Sequence, residues 1–167
     1  MQRVLSLDQS TRVSGWSYFE CGNYITSGVI DMNKSKLETD KRSFEMAKEI
    51  WKIIKKYKPQ ELIIENTQQQ SNPSTMIVLA RLAGMIIGYA EAHNVNVRIL
   101  SPSQWRKALG HTQGPKMKRK ELKQQSIDYV KNNFGLNVSE DESESICINA
   151  AAHIIYNFTE EDDIWGN

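Results

Sequence analysis

Two short apolar runs of this chain end in a carboxylate, and that pattern constrains the fold more than any other feature. Val4-Leu5-Ser6-Leu7-Asp8 comes first, and Leu62-Ile63-Ile64-Glu65 follows after a long amphipathic stretch. Runs of this length, bounded by polar or turn-forming residues, read as buried strands. Asp8 and Glu65 therefore stand at the C-terminal ends of strands, where ligands gather in sheets built with crossovers. A half-buried carboxylate needs a partner. Arg3 lies too far back along the strand, and Arg12 lies beyond the following turn. Asp8 either caps its own turn or shares a cation with further acids.

The remaining elements follow from periodicity and turn chemistry. Residues 13–20 and 24–31 flank Cys21-Gly22-Asn23, a hairpin with a loop of about three residues. Together with residues 2–8 they form an antiparallel meander. Residues 38–57 read as a helix whose stripe is Leu37, Phe44, Ala47, Ile50, Trp51 and Ile54, ended by Pro59. A polar loop leads from Asn66 to Pro73, and Ser74 or Thr75 caps a helix running to His93. Residues 95–100 form the fifth strand, and Pro102 starts a short helix around residues 103–109. After a loop over 110–115, a helix runs from Lys116 or Met117 to Phe134 and is closed by Gly135. Ser139 caps the last helix, with Glu142 placed to complete a capping box. Ile146, Ile148, Ala151, Ile154, Ile155 and Phe158 carry that helix forward. The order β-β-β-α-β-α-β-α-α-α predicts an α/β fold. Its mixed five-stranded sheet has three antiparallel strands and two reached by helical crossovers, with helices on both faces. Ser10-Thr11-Arg12 is not the glycine-rich turn that a P-loop or dinucleotide site needs.

At 167 residues the chain suits one domain, read as 1–159, with 160–167 as an acidic tail. Cys21 and Cys147 fit no metal or redox spacing, and they read as buried thiols of a reducing, cytoplasmic setting. Met1 leads straight into the first strand, so no signal peptide is expected. Arg81 interrupts the longest apolar helical stretch, so no membrane span is expected either. Net charge is +1, but it is unevenly spread: residues 105–123 carry seven Lys/Arg and one acid, whereas residues 140–167 carry eight Asp/Glu and no Lys or Arg.

The last acidic stretch supplies the missing partners. Asp141 and Glu144 are three apart and share a helix face. That face continues through Ser145, Ile148, Ala151 or Ala152, and Ile155, so the pair points the way the core-facing stripe points. Glu140 and Glu142 need no such explanation, because a helix's first turn favours acids. Asp8, Glu65, Asp141 and Glu144 at one sheet edge repel one another unless cations sit among them. Oxygen-only donors suit Mg²⁺ or Mn²⁺ rather than zinc. Two hard ions about 4 Å apart form a clamp for phosphodiester cleavage.

Four stretches carry a family resemblance. They are Leu5-Ser6-Leu7-Asp8-Gln9-Ser10-Thr11-Arg12-Val13-Ser14-Gly15-Trp16, Ile63-Ile64-Glu65-Asn66, Ser101-Pro102-Ser103-Gln104-Trp105-Arg106-Lys107 and Asp141-Glu142-Ser143-Glu144-Ser145-Ile146. In this order they resemble the RNase H-like, or retroviral-integrase, superfamily. Within it they resemble the RuvC family of Holliday junction resolvases, of phage type. The resemblance implies an RNase H-like fold and Mg²⁺-dependent, or Mn²⁺-dependent, cleavage of four-way DNA junctions by a homodimer. It implies that Asp8, Glu65, Asp141 and Glu144 are the metal ligands. The clustered Arg106, Lys107, Lys116, Lys118, Arg119, Lys120 and Lys123 are either a solvated helix face or the nucleic-acid-binding set that meets phosphates near the acids. The resemblance favours Lys120 as the lysine nearest the scissile phosphate, with Lys116 and Lys118 close competitors. A phage-encoded enzyme of this kind would work in the host cytoplasm.

Gln9 and Ser10 replace the family's Pro-Gly, and Glu144 replaces an Asp. Residues 66–70 lack the aromatic that stacks on junction bases, which implies cleavage guided by junction shape more than by base sequence. The helix at 75–92 is apolar almost all round, with Gly84 and Gly88 four residues apart. Its second face is covered either by another helix of the same chain or by a two-fold partner, and the resemblance favours the partner. Trp105 reads as core or as a base-stacking residue, and His111 as a surface residue or an auxiliary proton carrier. The acids do not separate a junction resolvase from a related nuclease acting on RNA or other branched DNA. Intact acids at all four positions argue against a catalytically silent junction-binding module.

Overall fold

The computed structural model describes residues 2–66 and 72–158. The loop residues 67–70 that bear on base stacking, and the expected acidic tail at 160–167, lie outside the described residues. In chain order the elements are β1 (Arg3–Asp8), β2 (Val13–Glu20), β3 (Asn23–Asp31), α1 (Thr39–Tyr57), β4 (Glu61–Glu65), α2 (Pro73–Ala92), β5 (Asn96–Leu100), α3 (Pro102–Ala108), α4 (Arg119–Phe134) and α5 (Glu140–Tyr156). The strands form one five-stranded sheet in the order β3-β2-β1-β4-β5. β1 pairs antiparallel with β2 and parallel with β4, and β4 pairs parallel with β5. The predicted element order and mixed sheet of the RNase H-like fold are therefore present.

Each strand alternates its side chains between two cores. Leu5, Leu7, Leu62 and Ile64 pack with Met46, Ile50 and Ile54 of α1 and with Leu82 and Ile86 of α2. Val4 and Ile63 pack on the other face, with Trp105 of α3, Val130 of α4 and Ile146, Ile148 and Ala151 of α5. The two-residue period of a strand fixes the rest. Ser6 and Asp8 share the side of Val4, and Glu65 shares the side of Ile63. Both strand-end acids therefore face the α3–α5 layer. The register sets Leu7 beside Ile64, so the next positions, Asp8 and Glu65, end adjacent strands.

Several local expectations are corrected. The β2–β3 turn is two residues, not three: Glu20 pairs with Asn23, and Cys21 and Gly22 both have positive φ, 46° and 78°, as a type I′ turn requires. Asn72, not Ser74 or Thr75, caps α2, accepting from the Ser74 amide. α4 begins at Arg119, because Lys118 is its N-cap. Ser139 does cap α5, but the Glu142 side chain leaves the box and accepts from Ser27 Oγ of β3 at 2.6 Å. Leu37, just before α1, and Phe44 of α1 are exposed, while Met46 and Ser43 occupy the buried stripe. Ile154 and Ile155 are exposed, while His153 on the same turn stacks on Phe19 of β2. Cys147 is buried but Cys21 is only half-buried. By length and composition alone α2 can cross a membrane, Arg81 notwithstanding. In the fold, its Leu82, Ile86 and Ala90 join the shared core.

Candidate active site

One cleft of about 580 Å³ at the C-terminal ends of β1 and β4 is lined by Asp8, Glu65, Asp141 and Glu144 together. The same walls carry Gln9, Arg106, Arg119 and Lys123. Three separate elements thus deliver the four acids to one place, as the strand-end and helix-face arguments predict. A cavity of similar size between α1 and α2 holds Phe44, Val78, Gly84 and Met85 with the Asp40–Arg81 pair, and it lacks this acid set.

Close approach of α5 to the sheet makes the convergence possible. Gly15 pairs with Asp8 across β1 and β2. A Cβ on Gly15 would fall 1.9 Å from the carbonyl oxygen of Asp141. The first turn of α5 therefore rests on bare backbone beside Asp8, which a side chain at position 15 would prevent. Further along, small polar residues replace the apolar stripe expected there. The Ser6 and Ser17 hydroxyls lie 2.7 Å apart, and they reach the Ser145 carbonyl at 2.8 and 3.1 Å. Asn149 Nδ2 donates to the carbonyls of Val4 and Ser17, each at 3.2 Å. Hydrogen bonding of these buried groups offsets their desolvation and sets the height of α5 over the sheet.

The turn after Asp8 is held as firmly. The Ser10 amide donates to Ser14 Oγ, which in turn donates to the Ser10 carbonyl. Arg42 of α1 is only 6% exposed and donates to the carbonyls of Thr11 and Leu37, both at 3.1 Å. Gln9, standing where the family has proline, donates from Nε2 to the Glu65 carbonyl at 2.5 Å. That bond ties the end of β1 to the end of β4.

The electrostatics are those of crowded anions. Burial pushes the Asp8 carboxyl well above its ordinary value, and the charges of Glu144, Glu65 and Asp141 push it further, with Lys123 opposing. Glu65 is also raised, chiefly by burial, while its hydrogen bond from Trp105 acts in the opposite direction. Donors already engage two of the acids. Trp105 Nε1 donates to Glu65 Oε2 at 2.7 Å, and Arg106 pairs with Glu144 Oε1 at 3.3 Å. Lys123 pairs with Glu140, just before the acidic pair. The donor set is all oxygen, which fits Mg²⁺ or Mn²⁺. Among the described residues, however, no three acid, His or Cys side chains are drawn together into a ready metal cage.

Of the predicted basic residues, Arg106, Arg119 and Lys123 reach the cleft. Lys107, Lys116, Lys118 and Lys120 are exposed and are not among its lining residues. Trp105 is fully buried, so it belongs to the core and does not present a stacking face. His111 is half-buried, edge-on between Trp105 and Tyr129. Burial and the nearby Arg106 lower its pKa. Gly15, Arg42 and the Ser6–Ser17–Asn149 seam escaped the sequence reading. A glycine inside a strand is the one signal that pointed to any of them.

The family model for crossover junction endodeoxyribonuclease RuvC matches residues 4–145. The chain belongs to the RuvC family. The RuvC of Hydrogenovibrio crunogenus is 30% identical over 108 residues, covering 62% of this chain and 62% of that protein. The RuvC of Fusobacterium nucleatum is 29% identical over 126 residues, covering 73% and 65%. The aligned stretches thus span a little under two thirds of these curated relatives. Among solved structures, T. thermophilus RuvC in complex with a Holliday junction substrate superposes with a TM-score of 0.74 at 12% identity, covering 94% of this chain and 96% of that one. The yeast mitochondrial Holliday junction resolvase Ydc2 gives 0.58 at 18% identity, covering 93% and 81%. At these identities the superpositions establish the RuvC-like fold. The family match runs from β1 into the first turns of α5, so it includes all four acids.

Proposed function

We propose that this protein is a divalent-metal-dependent endonuclease that resolves four-way DNA junctions by paired, symmetric phosphodiester hydrolysis. The observation that carries the reading is the meeting of Asp8, Glu65, Asp141 and Glu144 in one cleft whose walls also hold Arg106, Arg119 and Lys123. Acids without basic walls would suit a cation store, and basic walls without acids would suit simple DNA binding. The two together suit chemistry on a phosphate.

Asp8, Glu65, Asp141 and Glu144 are the proposed ligands. Mg²⁺ or Mn²⁺ held there would supply water activation and charge stabilisation at the leaving oxygen. The chain's own residues supply the rest. Arg119 and Lys123 neutralise the phosphate at the cleft, a role given to them in place of Lys120 because they line it. Arg106 is held by Glu144 and stacked over Trp105, at 4.5 Å to the ring centroid, so it presents a pre-oriented guanidinium. Lys107, Lys116, Lys118 and Lys120 extend the basic track for the DNA arms, with Lys120 the farther contact. Phosphate contacts of this kind position the duplex without reading sequence.

The homodimer is proposed through the outward face of α2, supported by its apolar exposure at Met76 and Ile77. Treating residues 1–159 as one nuclease domain is supported by both cores sharing a single sheet. The phage-type origin and the cytoplasmic setting carry over from the resemblance alone.

Synthetic four-way, three-way and linear duplexes, incubated with and without Mg²⁺, test the reading. The expected result is paired incision of the four-way junction only when metal is present. Preference for RNA or three-way substrates would identify the related nuclease instead. Binding without any incision in Mg²⁺ or Mn²⁺ would leave a junction-binding module.

A further inference from the structure

Consecutive residues of α3 reach two of the cleft's acids, and the tighter contact is the one from Trp105 to Glu65. An indole has one donor and no acceptor. This one is fully buried, packed in the core with Leu100, Val130 and Ile146, so its N–H must be satisfied where packing puts it. The bond is 2.7 Å, a length typical of a donor meeting an ionised carboxylate.

Both partners sit on fixed backbone. A reciprocal capping box between Ser101 and Gln104 locks the start of α3, with Pro102 buried in its first turn. Glu65 pairs with Leu100 in the sheet, and Gln9 holds its carbonyl. With both ends pinned, the N–H selects one orientation of the Glu65 carboxylate. It ties Oε2 and leaves Oε1 outside this bond. An apolar ring at position 105 would fill most of the core volume and leave the carboxylate free to rotate.

We infer that Trp105 is a positioning residue: its indole N–H holds Glu65 in the orientation that a divalent cation in the cleft requires. The inference rests on the metal-dependent reading above. Groups that orient a metal-binding carboxylate typically change metal affinity by about 10–100-fold when removed. Trp105→Phe keeps an aromatic ring, though a smaller one, and deletes the donor. Mn²⁺ binding by calorimetry, and the rise in Tm on adding Mg²⁺, should show a dissociation constant about tenfold or more weaker than that of the unmutated protein. Junction affinity in EDTA should be unchanged, and high metal should restore cleavage.

The unmutated protein gives a second reading that does not depend on how the variant folds. Among the indole resonances of its four tryptophans, that of Trp105 should move on Mg²⁺ addition, and Glu65→Gln should abolish the movement. Wild-type Mn²⁺ affinity in Trp105→Phe, or a Trp105 resonance unmoved at saturating Mg²⁺, overturns the inference. If the unmutated protein itself shows no Mg²⁺-dependent change in Tm and no Mn²⁺ heat, the metal reading has failed instead, and the two failures are thereby told apart.

Discussion

Asp8 is the residue at which the proposed function and stability pull hardest against each other. Its carboxyl is raised by burial and then by three neighbouring carboxylates. A group whose folded pKa lies above its unfolded value stabilises the fold below the ordinary carboxylate range, and that contribution is lost as pH rises through the raised value. Asp8 and Glu65 both act in this direction. The metal-free protein should therefore lose stability from them as pH rises above the ordinary carboxylate range. Asp8→Asn removes the most strongly perturbed charge. At neutral pH in EDTA it should gain about 1 kcal/mol, as relief of a strained functional site commonly does, or about 2–4 °C in Tm. Cleavage should vanish while junction binding persists, since phosphate contacts carry most of the affinity. Thermal melts of both proteins across pH, with a cleavage assay alongside, check this. A variant that melts lower than the unmutated protein at neutral pH would contradict the repulsion argument. Gly15 makes the opposite case. Gly15→Ala puts a methyl where the Asp141 carbonyl already sits. It should cost roughly 1–3 kcal/mol through overpacking and lower activity even where the protein stays folded, a loss read by denaturant titration beside the cleavage rate.

Among the elements, the ends of β1 and β4 with the start of α5 bring the acids, α3 and α4 bring the cations, and these were unequally legible. The strand ends of β1 and β4 were readable because an apolar run closed by an acid has few meanings, and the (i, i+3) spacing put Asp141 and Glu144 on one face. The seating of α5 was not readable. It depends on Gly15, Ser6, Ser17 and Asn149, whose roles come from close approach and shared hydrogen bonds rather than from periodicity. The same limit applies to Lys120. Composition marks a basic stretch, but helix phase decides which cations turn inward. α4 begins at Arg119, and one turn further on it is Lys123, not Lys120, that meets the cleft. Arg119→Ala with Lys123→Ala should therefore weaken cleavage more than Lys116→Ala with Lys120→Ala. Each pair should flatten the dependence of log affinity on log salt, by about 1 in slope per lost phosphate contact. Equal cleavage by both pairs, measured at saturating DNA, would place the scissile phosphate elsewhere on the basic track.

At the scale of the whole molecule, the proposed paired cleavage of a four-way junction needs two clefts in a fixed relation, and α2 is the proposed means. Its start contributes Thr75 and Leu79 to the cleft. Its inward face, Leu82, Ile86 and Ala90, is fully buried. On its outward side, added Cβ atoms at Gly84 and Gly88 meet nothing within 4 Å, and Ile77 is 51% exposed. Exposed Phe44 of α1 lines the neighbouring groove with Val78 and Met85. A two-fold partner seated there would cover this strip and hold two clefts in a fixed relation, because each cleft includes the start of the same helix. A stable interface needs about 800 Å² from each partner, so the strip and the groove would both have to be engaged. The consequence is a split between substitutions on one helix. Gly84→Glu should give a folded monomer that still binds junctions weakly but nicks one strand at a time. Leu82→Glu should unfold the domain, because an unpaired charge in that core is costly. Circular dichroism separates the two, and incision of a cruciform plasmid separates paired cleavage from single nicks. Sedimentation equilibrium of the unmutated protein at tens of micromolar should return about twice the 19.2 kDa chain mass. A mass that stays at the chain value as concentration rises would remove the dimer, and the outward face of α2 would then need another partner.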